Sequence, residues 1–185
     1  MTKYKGTYRT ETTRLKNWDY ASPGYYFITI CTQDHKPFFG QVKDDQMLLS
    51  PLGGMAETYW SKIPAHFANA TLDEFIIMPN HVHGIVIIQE ESVETQHAVS
   101  LQKPSTPRKF SSMQPGSLSA IIRSYKSAVT RWARTNGYAE FAWQRRFYDH
   151  IIRNDKSLRS TREYIRDNPL KWALDKNNPE NLRSK

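Results

Sequence analysis

Phe75-Ile76-Ile77-Met78-Pro79-Asn80-His81-Val82-His83-Gly84-Ile85-Val86-Ile87-Ile88 decides how this chain folds. Two apolar runs flank Pro79-Asn80, a pair of turn formers, so the stretch predicts antiparallel strands over 72–78 and 81–88. In the second run Val82, Val86 and Ile88 fall on one face, and Ile85 and Ile87 on the other. A strand apolar on both faces is a central strand, covered on both sides. The same alternation sets His81 and His83 side by side, with Val82 turned away. Two imidazoles on a stiff, buried strand suit a divalent metal. By spacing alone the pair also fits two core histidines satisfied by their neighbours.

Upstream, Gly24 opens the run Tyr25-Tyr26-Phe27-Ile28-Thr29-Ile30-Cys31-Thr32, whose aromatic and β-branched residues predict another strand. Residues 36–42 and 46–49 read as a hairpin around Asp44-Asp45. Ser50-Pro51 is a cap followed by a first-turn proline, so a helix is expected from there to about Lys62, ended by Ile63-Pro64. Downstream, Leu118, Ile121, Ile122, Tyr125, Val129 and Trp132 recur at helical spacing. Residues 141–144 read as a short strand. A last helix is expected over 157–168, capped by Asp155 or Ser157 and stopped by Pro169. Strands, helix, strand pair, helix, short strand and helix together predict an α+β fold with a mostly antiparallel sheet.

The 185 residues suit one domain spanning 1–185. Residues 1–20 read as a basic N-terminal arm, 89–116 as an exposed loop and 173–185 as a C-terminal tail. No apolar run approaches the roughly 18 residues of a membrane span. The basic start Met1-Thr2-Lys3-Tyr4-Lys5 is not followed by an apolar stretch, so no signal peptide is expected. The single cysteine, Cys31, has no internal disulfide partner and sits where a small core residue belongs. These features point to the cytoplasm.

The formal net charge is +8, and its distribution says more than its size. Between Glu94 and Glu140 there is no acidic residue, yet that stretch holds seven cations, among them Arg123, Lys126, Arg131 and Arg134. One sign of charge over such a length suggests a polyanion partner. In the last helix Tyr164 and Asn168 are four apart and lie one above the other, with Arg159, Arg162 and Arg166 around them. On its own, Tyr164 reads as an ordinary boundary tyrosine, ring inward and hydroxyl at the surface.

Four motifs in order resemble the REP-associated tyrosine transposases, relatives of the single-tyrosine HUH transposases of small insertion sequences. They are the strand at Tyr25, the Met-Pro-Asn-His-Val-His segment, Trp143-Gln144-Arg145-Arg146-Phe147-Tyr148-Asp149-His150-Ile151-Ile152-Arg153-Asn154, and Tyr164-Ile165-Arg166-Asp167-Asn168-Pro169. The resemblance runs from about Leu15 to Trp172. It implies a ferredoxin-like core whose central strand bears the His-x-His pair. It also implies Tyr164 as nucleophile, with His81, His83 and Asn168 as metal ligands.

That set implies cleavage and rejoining of single-stranded DNA at a palindromic repeat hairpin through a 5′-phosphotyrosine. A phosphotyrosine conserves the energy of the broken linkage, so no nucleotide cofactor is needed. Imidazole with amide oxygen suits Mg²⁺ or Mn²⁺; a zinc site would want a third imidazole, for which His150 is the candidate. Tyr148 is the alternative nucleophile. Strand recognition is expected from Arg123, Lys126, Arg131, Arg134, Arg145, Arg146, Arg162 and Arg166, with Trp143 or Phe147 stacking on unpaired bases. Competing readings are a domesticated repeat-binding protein without activity, a hydrolytic metallonuclease and an RNA-binding domain. The resemblance allows monomer or homodimer and no membrane partner.

Overall fold

The computed structural model describes residues 18–90 and 114–182, with the backbone of residues 3–4 and 7–8. Most of the expected N-terminal arm and of the expected 89–116 loop lies outside the described residues.

Strand β1 (Gly24–Cys31) alternates cleanly: Tyr26, Ile28 and Ile30 are fully buried on one face, and Phe27 and Thr29 lie on the other. Strands β2 (Gly40–Lys43) and β3 (Gln46–Leu49) form the expected small hairpin. Its two turn residues, Asp44 and Asp45, have φ of 50° and 58°. Positive φ at both positions is the geometry of the turn that matches strand twist, and aspartate tolerates it. Helix α1 (Pro51–Ser61) starts where the sequence places it, with the Ser50 hydroxyl accepting from Gly53 N–H at 3.0 Å. Pro64 does not simply end that helix. It opens a second short one, α2 (Ile63–His66), because a proline in the first turn has no N–H to leave unsatisfied.

Strands β4 (Ala70–Met78) and β5 (His81–Ile88) pair across Pro79-Asn80 with Met78 opposite His81 and Ile76 opposite His83. A bulge at Asp73 and Glu74 shifts the register between Leu72 and Phe75. Helix α3 (Leu118–Thr135) is capped by the Ser117 hydroxyl. The next element corrects the sequence reading. Residues 141–144 supply only one bridge, Trp143 to Thr32; the strand is β6 (Tyr148–Ile152). Asp149 and His150 interrupt its apolar pattern and hid it. Helix α4 (Asp155–Arg166) is capped by Asn154, whose side chain accepts from Ser157 N–H at 2.9 Å. A 3₁₀ turn (Trp172–Leu174) and α5 (Pro179–Leu182) follow.

The sheet order is β4-β5-β1-β6, antiparallel throughout. With α1 between β1 and β4, and α3 between β5 and β6, this is the ferredoxin-like arrangement, and β5 is central as expected. Helices α1 and α3 cover one face, where Trp60, Ile121, Tyr125 and Val129 pack on Ile28, Ile30 and Val82. Gly84 lets Trp60 reach the sheet; a Cβ there would run into the indole ring. The other face carries a smaller core of Ile85, Ile152 and Ile165, flanked by Phe27 and Leu158, beneath α4. Among the described residues no helix is long and apolar enough to cross a membrane.

Candidate active site

The site lies on the α4 face. Register fixes its floor: Thr29 is opposite His83, and Cys31 is opposite His81. Both histidines are buried, and their rings stand 4.4 Å apart, centroid to centroid. Each is oriented from behind. The Asn80 amide donates from Nδ2 to the carbonyls of His35 (2.8 Å) and Asn177 (2.7 Å). That leaves Oδ1 as acceptor, 2.9 Å from His81 Nδ1. His81 therefore carries its proton on Nδ1 and turns the lone pair of Nε2 into the site. Thr29 Oγ1 stands 2.9 Å from His83 Nδ1 in the equivalent position.

Helix α4 brings Tyr164 over this floor. Its hydroxyl lies 3.2 Å from His83 Nε2, and its ring meets Phe27 edge-on at 6.0 Å. The Tyr164 side is reached from solvent, at 37% exposure, whereas Asn168, just past the helix end, is 2% exposed. Ile165 and Leu158 anchor the helix in the small core. Arg162 fixes its outer side with a two-pronged bond to Asp73 at the β4 bulge, 2.8 Å from Nε and 2.6 Å from Nη2.

One participant was not foreseen. Asp175, beyond the 3₁₀ turn, is buried with Oδ2 3.9 Å from His81 Nε2, while Oδ1 accepts from Asn177 N–H at 2.6 Å. His81, His83 and Asp175 offer ligand atoms all within 4.8 Å of one another. His150, the candidate third imidazole, is exposed on β6 opposite Phe27 and outside this cluster. Residues 173–185, expected as a C-terminal tail, begin beside the site: Asp175, Asn177 and Asn178 are buried, and just before them Trp172 tilts over His81 at 6.0 Å. In sequence Asp175 is an aspartate among turn formers, and no local pattern ties it to a strand 94 positions earlier.

The donor set fits a divalent cation. His81 Nε2 and Asn168 Oδ1 are buried acceptors with no hydrogen-bond partner. A buried acceptor left unpaired is costly, and a cation is the ligand that satisfies several at once. Burial pushes His81 down to about 3 and His83 well below the ordinary imidazole range, so both are neutral, the form that binds metal. Burial, then Asp175, raises the Tyr164 phenol, while Asn168 opposes them. A cation bound beside that oxygen would lower it again. Cys31 is pushed up to about 11 by burial, which keeps it an inert thiol.

No family model matches the chain. A Haemophilus influenzae protein named "Uncharacterized protein" is 41% identical over 176 residues, covering 94% of this chain and 96% of its own length. Another from the same organism, named "Putative REP-associated tyrosine transposase", is 26% identical over 153 residues, 83% of this chain and 74% of that protein. A REP-associated tyrosine transposase solved bound to a REP hairpin shares the fold, with a TM-score of 0.56 at 20% identity over 90% of this chain and 77% of that one. The chain is thus similar in sequence to one REP-associated tyrosine transposase and shares the fold of another.

In this chain the other expected site residues scatter. Arg123 and Arg131 line a groove of about 710 Å³ between α1–α2 and α3, on the face of the sheet opposite Tyr164. Arg134 is exposed on the last turn of α3, and Arg145 and Arg146 on the approach to β6. Lys126 is turned inward, its ammonium donating to the Gln144 carbonyl at 2.6 Å, and burial lowers its affinity for the proton. Arg162 is engaged by Asp73, and Arg166 lies 3.8 Å from Glu74. Trp143 is not a stacking surface: it is buried in the main core, and its indole N–H donates to the Lys126 carbonyl at 3.1 Å. Phe147 is half-buried against the same core.

Proposed function

We propose that this transposase-like protein cleaves and rejoins single-stranded DNA at palindromic repeat hairpins, with Tyr164 as nucleophile. The observation that carries the reading is the 3.2 Å approach of the Tyr164 hydroxyl to His83 Nε2, beside the unpaired acceptors of His81 and Asn168. The phenol oxygen attacks the scissile phosphorus, the bond from phosphorus to the 3′-oxygen breaks, and the strand keeps a free 3′-hydroxyl. The phenol loses one proton and the departing 3′-oxygen gains one, so the step is proton-neutral. Reversal with a second 3′-hydroxyl rejoins a strand, which needs no nucleotide cofactor.

His81 and His83 would hold Mg²⁺ or Mn²⁺, with Asn168 and Asp175 as the oxygen donors. The bound ion would supply charge withdrawal at a non-bridging phosphate oxygen. Asn80 and Thr29 hold the two imidazoles in position, and Phe27 holds the phenol ring. Asn168 works on the phenol against the effect of burial. All these groups come from one chain, and both a monomer and a homodimer fit this reading. The exposed Arg123, Arg131, Arg134, Arg145 and Arg146 would follow the phosphates of more distant DNA. Work on DNA would place the protein in the cytoplasm.

Incubation with a hairpin oligonucleotide bearing an unpaired flank and Mn²⁺ should yield a protein–DNA adduct that survives detergent. Tyr164→Phe should form none while still binding the hairpin. Adduct from Tyr164→Phe would refute the assignment, and cleavage by that variant without adduct would favour a hydrolytic nuclease.

A further inference from the structure

Thr29 has a second neighbour across the sheet. The β1–β6 register sets Tyr148 opposite it, as the β1–β5 register sets His83. His83, Thr29 and Tyr148 thus form one row on the same face. Strand spacing puts the ends of that row roughly 10 Å apart. Tyr148 is on the edge strand and stays 44% exposed. It forms one wall of a cleft of about 560 Å³ that Tyr164, Phe27 and Leu174 also line. Phe27 meets its ring edge-on at 6.4 Å, fixing the ring's plane. The Lys176 ammonium stands 5.7 Å from its centroid.

A large exposed ring next to a phosphate-processing centre calls for a partner with a flat apolar face. The adjoining ammonium calls for an anion. A nucleotide offers both, base and phosphate, on one covalent unit.

We propose that Tyr148 and Lys176 form a stacking slot for the unpaired base adjoining the scissile phosphate, and so position the strand for attack. This rests on the function proposed above. It also reassigns Tyr148: the ring does the work, not the hydroxyl, so Tyr148 is a positioning residue and not a second nucleophile.

The test uses the full chain and hairpin oligonucleotides carrying 2-aminopurine at each unpaired position in turn, in chelator so that no cleavage occurs. Wild type and Tyr148→Phe should quench the probe at a position next to the scissile phosphate. Tyr148→Ala should not, and should bind about 5- to 100-fold more weakly, the range for one lost base–aromatic stack. With Mn²⁺ present, an abasic residue at that position should slow adduct formation by wild type to the rate of Tyr148→Ala, and should not slow Tyr148→Ala further. Tyr148→Trp, which keeps a π-face, should rescue.

Quenching that survives in Tyr148→Ala at every position overturns the slot. So does a Tyr148→Phe variant that behaves like Tyr148→Ala, since the hydroxyl would then be the active part. A wild-type protein that neither binds the hairpin nor forms adduct overturns the proposed function itself. A wild type that does both, with Tyr148→Ala indistinguishable from it, overturns only the slot.

Discussion

The two faces of this sheet are made by the same strands and built for different ends. Toward α1 and α3, β1 and β5 present Tyr26, Ile28, Ile30, Val82 and Val86 to a continuous aromatic and aliphatic core. Toward α4 the same strands present Thr29, His81 and His83, and a small buried cluster with the Arg162–Asp73 tether holds the helix down. One face supplies the stability that the other uses. Buried acceptors without partners are tolerated at the site because strand positions there are fixed from behind.

That contrast predicts separable failures. The largest is on the α1–α3 side: Trp60→Ala should cost about 3–5 kcal/mol in urea unfolding, because the fully buried indole leaves a cavity under two helices. On the α4 side, Thr29→Val should cost less, about 1–3 kcal/mol, for the buried imidazole nitrogen left without a partner. It should weaken Mn²⁺ binding by about 10- to 100-fold in calorimetric titration, because His83 loses the group that orients it. If Thr29→Val instead unfolds the protein and spares the metal, the division between the faces is wrong.

A smaller, graded effect should come from acid. As pH falls below the ordinary imidazole value of 6.5, the unfolded chain takes up protons that buried His81 refuses until about pH 3. More protons bound by the unfolded chain means stability falls with falling pH. In the metal-free protein the slope should approach about 1.4 kcal/mol per pH unit for each of the two buried histidines. Thermal unfolding from pH 7 to pH 4 measures it, and His81→Ala should flatten the slope.

The mildest change should be Asp73→Asn. It frees Arg162, with the Ile165 and Leu158 anchors of α4 intact. Adduct formation should slow several-fold with the metal titration unaltered, since only the helix bearing the phenol has lost a tether.

Much of the stable face was legible beforehand, because burial on one side of a helix or strand leaves a period. The α3 stripe from Leu118 to Val129 is buried as its spacing required, and the 72–78 and 81–88 pair stands within two residues of its expected bounds. The strand at 148–152 was not legible, since an edge strand holding Asp149 and His150 lacks alternation, whereas Trp143 mimics a strand residue and is core. At the site, the His81 and His83 pair could be read from alternation, but Tyr164 gained a role only through resemblance. Asp175 could not be found, because nothing short of the folded chain brings it to β5. Lys126 counted as a surface cation by composition, and its carbonyl partner 18 residues away is again a tertiary fact.

The Asn80 amide binds together three distant parts of the polypeptide: the loop at His35, the ring of His81 and the backbone of Asn177. A chain cut short before Asp175 would keep the strands that carry both histidines, yet lose one anchor of that amide and the buried carboxylate together. The histidine pair therefore depends for its orientation on a segment that contributes no strand to the sheet.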